Sequence, residues 1–203
     1  MHLHLLFLVM AAATVLSPGP GVVMTLTNAL RFGLLGTFGG VLGIAFGALV
    51  VAAISATSLG VLLATSVLAF TVLKHMGAAY LIFQGVRLWR SPAFKFSTQP
   101  AHEASFGKRF IEGLSLQLTN PKALFFFLSV LPQFIDPAID YSVQFATLVL
   151  TYASLVVAIH SLYAVFSSRA KRWLTSDRGG RAISRTSGVT LILFGAALAA
   201  AKQ

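Results

Sequence analysis

The stretch Ser17-Pro18-Gly19-Pro20-Gly21 interrupts one long apolar segment, and Thr119-Asn120-Pro121-Lys122 interrupts another about half the chain away. Proline has no amide hydrogen and cannot close the helical bond to the carbonyl four residues earlier. In hydrocarbon such freed groups are tolerated only where protein or a water-filled cavity receives them. Two proline-broken segments at corresponding positions of two halves point to a midplane binding site between them, the alternative being two unrelated proline kinks.

The remaining composition demands a bilayer. Of 203 residues, 57% are hydrophobic and 10% charged, with a mean hydropathy of +0.84. No charged residue lies between Arg31 and Lys74, which is room for two spans of about 20 residues each. The formal charge of +10 falls mostly in clusters beside apolar segments, so membrane orientation explains it and nucleic acid is not expected as a partner. Absence of cysteine removes disulfides, thiolate metal sites and thiol catalysis. The apolar run from Leu3 to Val15 has no preceding Lys or Arg, so it reads as a retained first span, not a cleaved leader.

Six apolar segments are expected, near Leu3–Leu30, Leu35–Thr57, Val67–Leu88, Ile111–Leu131, Gln144–Phe166 and Ile183–Ala200, with a tight turn between Ser55 and Ser66. Basic residues sit after segment one (Arg31), after segment three (Arg87, Arg90, Lys95, Lys108, Arg109) and after segment five (Arg169, Lys171, Arg172, Arg178, Arg181, Arg185). All three connections then share the cytoplasmic side, and both termini face away from it. The polar stretch Ser91 to Ser105 divides the chain into a first three-helix half (1–90), a basic cytoplasmic linker (91–110) and a second three-helix half (111–203). The fold expected is an all-α integral membrane protein of six transmembrane helices, a 3+3 inverted repeat with helices one and four broken.

At the first break, carbonyls around Thr14 to Leu16 lose helical partners, and Ser17, Pro18, Gly19 and Pro20 become candidates for binding a zwitterion. Thr25, Thr27 and Asn28 follow and either line the same path or make ordinary interhelical hydrogen bonds. At the second, Gln117, Thr119, Asn120, Pro121 and Lys122 converge in an apolar span. Lys122 lies far from either end of its span, and an intramembrane ionisable group is a functional candidate by default. It could meet a substrate carboxylate or a freed carbonyl. His160 and Asp136 are candidates for proton coupling, while Lys74 is expected to snorkel outward. Gly36, Gly39, Gly40, Gly43 and Gly47 carry three overlapping GxxxG spacings, a face for close helix packing inside the chain or in a homo-oligomer. With no carboxylate deep in a span, a hard-cation site lacks ligands. No nucleotide loop, hydrolytic arrangement or cofactor motif occurs, so neither an enzyme nor a metal or cofactor is expected.

Four signatures now stand together in order: Ser17-Pro18-Gly19-Pro20, Leu73-Lys74-His75-Met76-Gly77-Ala78-Ala79-Tyr80-Leu81, Asn120-Pro121-Lys122-Ala123 and Leu131-Pro132-Gln133-Phe134-Ile135-Asp136-Pro137. The chain resembles the LysE/RhtB family of bacterial amino-acid exporters, its homoserine/threonine branch in particular. The resemblance implies a six-helix inner-membrane exporter of amino acids or derivatives, driven by protons and dimeric or higher. It makes Pro18, Gly19, Pro20, Asn120, Pro121 and Lys122 the functional core. Members that export basic amino acids tend to carry acidic residues within the membrane, and this chain has none, which points to neutral substrates such as homoserine, threonine or leucine. The alternatives are export of another metabolite or toxic compound, or a non-transporting scaffold assembled through the glycine face.

Overall fold

The structure is a computed structural model describing residues 2–65, 67–96, 105–136, 140–167 and 169–200; for residues 2, 3, 57–65, 67–70, 73, 74, 129 and 198 it describes the backbone alone. The expected outward reach of the Lys74 side chain therefore lies outside the described residues; of the stretch expected to hold a tight turn, residues 55–65 are helical and Ser66 lies outside the described residues. Everything regular among the described residues is helical: α1 (His2–Leu16), α2 (Pro20–Thr65), α3 (Val67–Arg90), α4 (Phe106–Leu118), α5 (Pro121–Phe125), α6 (Tyr141–Ser167), α7 (Lys171–Leu174) and α8 (Asp177–Ala200). After α5 the chain continues through a π-helical turn, Phe126–Val130, and a 3-10 turn, Leu131–Phe134. Helix α4 begins at Phe106, so residues 106–110 belong to it and not to a basic linker.

Helix α2 is 46 residues long only in name, because Gly33 (φ 70°, ψ −171°) folds it back on itself. That backbone conformation is essentially open to glycine alone. A Cβ on Gly40 would stand 2.7 Å from Met24 Cε and 3.4 Å from Asn28 Nδ2, whereas a straight helix would hold positions 24 and 40 about 24 Å apart. Limbs 20–32 and 34–65 therefore form a hairpin, and its reversal lies beside Arg31.

Two helix pairs approach through glycine. Limb 34–65 runs parallel to α4: a Cβ on Gly39 would press on the Phe106 carbonyl at 2.7 Å and one on Gly47 on Gln117 Cβ at 2.7 Å, while Gly43 abuts Phe110 and Leu114. The partner of this face is thus α4 of the same chain. Gly40 meets the other limb of the hairpin, and Gly36 meets only Phe32 one turn back. Helices α3 and α8 run antiparallel, a Cβ on either Gly85 or Gly188 falling 2.6 Å from the other's carbonyl oxygen. The main core joins α1, limb 34–65, the turns after α5 and α6 through Phe7, Ala11, Ile44, Ala48, Phe126, Phe127, Leu148, Tyr152 and Val156.

Polarity is inverted relative to a water-soluble protein. Leu35, Phe83, Val143, Leu150 and Leu193 are exposed, while Thr14, Thr25, Asn28, Arg109, Gln117, Asn120, Lys122 and His160 are buried. Apolar surface outside and hydrogen-bonded polar groups inside suit a hydrocarbon solvent. Among the described residues, Pro20–Ala56, which the Gly33 reversal divides into two limbs, and Tyr141–Ser167 are long and apolar enough to cross a membrane. The pair Phe106–Leu118 and Pro121–Phe134, bent by 54° at the second break, makes a third if it is one span.

Candidate functional site

Each proline of the first break orphans a particular carbonyl. Pro18 deletes the donor that Thr14 O would receive four residues on, and Pro20 deletes the donor for Leu16 O. Both acceptors are taken by side chains from other elements. Lys122 Nζ donates to Thr14 O at 2.8 Å, to Ser17 O at 3.0 Å and to Ser17 Oγ at 3.1 Å. The Tyr163 hydroxyl, from α6, donates to Leu16 O at 2.6 Å. Three acceptors around one nitrogen match the three donors of an ammonium, and the Ser17 hydroxyl in turn donates to Thr14 O at 2.7 Å.

The second break is closed internally. Asn120 caps α5, its Oδ1 accepting from Lys122 N at 3.1 Å, with Pro121 at the first helical position where the missing amide costs nothing. Its Nδ2 donates to Gln117 Oε1 at 3.2 Å, and its backbone amide donates to Gln117 O at 3.1 Å, the carbonyl that Pro121 would leave open. This cap aims the first turn of α5, and with it Lys122, at the first break.

Two glycines of the first break serve close approach. A Cβ on Gly19 would stand 3.2 Å from Lys122 Nζ, and one on Gly21 would stand 3.2 Å from His160 Cε1. Neither has positive φ; among the described residues only Gly33 does. His160 shares a 2.6 Å hydrogen bond between its Nδ1 and Thr25 Oγ1. Gly21, Gln117, Asn120, Lys122 and His160 line one small cavity with Tyr152 and Val156. Its volume, about 20 Å³ of space for water centres, holds a water or two and no amino acid.

Not every expected residue reaches this cavity. Thr119 is exposed and bonds back to Ser115 O and Leu116 O. Thr27 bonds back to Val23 O. Asp136 lies at the entry to α6, where its backbone exchanges hydrogen bonds with Gln144. Tyr163 and Tyr152, by contrast, belong to the site and were not among the residues expected from sequence. Arg109, counted by sequence among solvated cytoplasmic charges, is 7% exposed. It stacks 3.6 Å from the Phe32 ring and donates to Asn28 Oδ1 at 3.0 Å and Glu112 Oε2 at 3.2 Å, pinning α4 to the hairpin near its reversal. The i, i+4 spacing of Asn28 and Phe32 was the available signal. No group of His, Cys, Asp and Glu able to hold a metal occurs among the described residues.

Comparison with known proteins identifies the family. Residues 12–202 match the family model described as LysE type translocator. An uncharacterized membrane protein of Vibrio cholerae is 31% identical over 201 residues, covering 99% of this chain and 98% of its own. A homoserine/homoserine lactone efflux protein of Salmonella typhimurium is 31% identical over 188 residues, 93% of this chain and 91% of its own. The membrane protein YrhP of Bacillus subtilis is 29% identical across 96% of this chain and 97% of its own. No solved structure matches. The chain is a multi-pass membrane protein and belongs to the LysE type translocator family.

Proposed function

We propose that this protein is a secondary transporter that exports neutral amino acids or close derivatives across the bacterial inner membrane in exchange for protons. The observation that carries the reading is the meeting of the two breaks: Lys122, one residue after Pro121, donates to carbonyls that Pro18 and its neighbours leave open. An ammonium-binding cage, beside a cavity lined by a cation that can turn to a carboxylate and by a buried imidazole, offers the groups a zwitterion and a proton need. The Salmonella relative named for homoserine and homoserine lactone efflux supports an amino-acid-like substrate.

A six-span, 3+3 inverted repeat gives this site its alternating access, with both termini outside the cytoplasm. Its support is a recurring offset. Pro18 and Pro121 are 103 positions apart, as are Gly85 and Gly188, and Trp89 and Ile192. A Cβ on Gly85 would meet Gly188 and Ile192, and one on Gly188 would meet Gly85 and Trp89. A two-fold relation between the halves generates such reciprocal contacts. The same offset pairs Lys122 with Gly19, the residue its head group lies against. The parallel course of limb 34–65 and α4 and the antiparallel α3 and α8 suit the orientation set by the basic connections. His160, which faces the cavity, is the group proposed to couple protons; Asp136 lies away from it.

The test is counterflow in proteoliposomes across a panel of amino acids, with Lys122→Ala and Pro18→Ala beside the wild type. Exchange of at least one neutral amino acid, lost in both variants, is expected. Wild-type rates in both variants would remove the site assignment, and no exchange of any amino acid would remove the function.

A further inference from the structure

The small cavity and the position of Lys122 together say how a substrate enters. We infer that Thr14 O, Ser17 O and Ser17 Oγ form a subsite for a primary ammonium, and that Lys122 occupies it as a tethered stand-in until a substrate's ammonium displaces it. This rests on the transporter reading for its physiological ligand but not for the subsite itself.

Three observations carry the inference. The cage presents three acceptors at 2.8, 3.0 and 3.1 Å to one nitrogen, the coordination of an R–NH₃⁺ head and not of a quaternary or acylated nitrogen. The cage exists only at the first break. At the second, the equivalent carbonyls of Gln117 and Asn120 accept from backbone amides of Asn120, Ala123 and Leu124. The room beside the cage, about 20 Å³, is too small for a substrate while Lys122 stays.

Substrate binding is therefore an exchange of ammonium for ammonium. Two cations cannot share one cage, so Lys122 leaves as the ligand arrives, and its freed head meets the ligand's carboxylate. The ligand class follows: a primary ammonium is obligatory, and a carboxylate adds affinity by pairing the displaced lysine. The bond between Lys122 and the first break also holds the two halves together in the unliganded state, so ligand arrival releases that tie.

The experiment titrates purified protein with n-propylammonium, which restores in trans the atoms that Lys122→Ala removes, and with tetramethylammonium at equal ionic strength. In Lys122→Ala, propylammonium raises Tm saturably by about 5 °C; tetramethylammonium does not, and wild type responds to neither. A folded variant indifferent to propylammonium, or equally stabilised by tetramethylammonium, overturns the subsite. Should Lys122→Ala not fold, Lys122→Met keeps the stem and vacates only the head, with the ammonium ion as probe and the same readings. In wild-type counterflow, the N,N,N-trimethyl form of an exchanged amino acid neither moves nor competes; equal competition overturns the requirement for N–H donors. If no amino acid exchanges at all, the transporter reading falls while the alkylammonium titration still decides the subsite.

Discussion

The ammonium of Lys122 lies 2.8 Å from the carbonyl oxygen of Thr14, across 108 positions of sequence, and that carbonyl is the one whose helical donor Pro18 deletes. The two sequence breaks are thus complementary halves of one polar contact. One supplies acceptors that hydrocarbon cannot satisfy; the other supplies a cation that hydrocarbon cannot solvate.

Gly19→Ala tests how closely that contact is fitted. The new Cβ would sit 3.2 Å from Nζ and 3.6 Å from Cε, contacts tight enough to push the flexible lysine head off at least one acceptor. Loss of one hydrogen bond to a charged group, about 1.5 kcal/mol, is about tenfold in an equilibrium. Tm should fall by a few degrees, because the tie between the breaks weakens in the folded state, and counterflow should fall about tenfold, because a substrate's ammonium meets the same methyl in the cage. A wild-type rate would show that the position of Nζ does not matter.

Tyr163 and Pro20 form a second pair of this kind. Tyr163→Phe leaves Leu16 O without its 2.6 Å donor, at a cost of about 1–3 kcal/mol if the carbonyl stays dry. Pro20→Ala returns a backbone amide at the position that could serve Leu16 O. The two changes should be non-additive, the double variant unfolding less readily than the summed singles predict, by an interaction of about 1 kcal/mol. Additive unfolding free energies would mean the hydroxyl does not compensate for the proline.

His160→Gln separates exchange from coupling. Gln keeps a hydrogen-bonding group beside Thr25, 2.6 Å from the present Nδ1, but cannot titrate. In proteoliposomes, uptake driven by a pH gradient should drop to the level without a gradient, while counterflow at equal pH stays within a few-fold of wild type. Gradient-driven accumulation by the variant would move proton coupling elsewhere.

Much of this site was readable from residues alone because prolines and intramembrane polar groups obey local rules: Thr14 to Leu16 lose partners by counting back four from Pro18 and Pro20. Residue type also marked Lys122 and His160 as out of place among aliphatic neighbours. What could not be read was direction. Thr119 sits one residue from Asn120 yet faces outward, because it ends α4 and bonds back to its last turn while Asn120 is the extended cap of α5. Arg109 looked like one more positive charge at a membrane edge; its burial depends on Asn28 and Phe32 folding back onto α4, a tertiary fact. The reversal itself was legible as the connection between segments ending at Leu30 and starting at Leu35; that a single residue, Gly33, makes it was not. Phe32-Gly33-Leu34 has no proline or polar turn residue, and only the glycine's freedom of φ permits the reversal.

That freedom is testable by Gly33→Ala. At φ 70° and ψ −171° an alanine is strained by about 1–3 kcal/mol, although no atom lies within 4 Å of the new methyl. The penalty is therefore purely conformational. Thermal unfolding should drop by several degrees, with counterflow by the surviving folded protein close to normal because the hinge lies away from the cavity. Unchanged stability would mean that the reversal can be made with an ordinary backbone.

Gly43→Ala and Gly107→Ala ask whether the small-residue face is packing or ornament, since both put the same methyl on a helix. At Gly43 it meets the Phe110 carbonyl and Leu114 amide of α4, backbone atoms that cannot yield without separating the helices. At Gly107, in the first turn of α4, nothing lies within 4 Å. The first variant should lose 2 kcal/mol or more, roughly the upper cost of overpacking, and lose counterflow with it, because Gln117 and Lys122 ride on the displaced chain. The second should gain about 0.5–1 kcal/mol from the lower entropy of alanine. Equal Tm values for the two would show that limb 34–65 and α4 do not lie in the contact described.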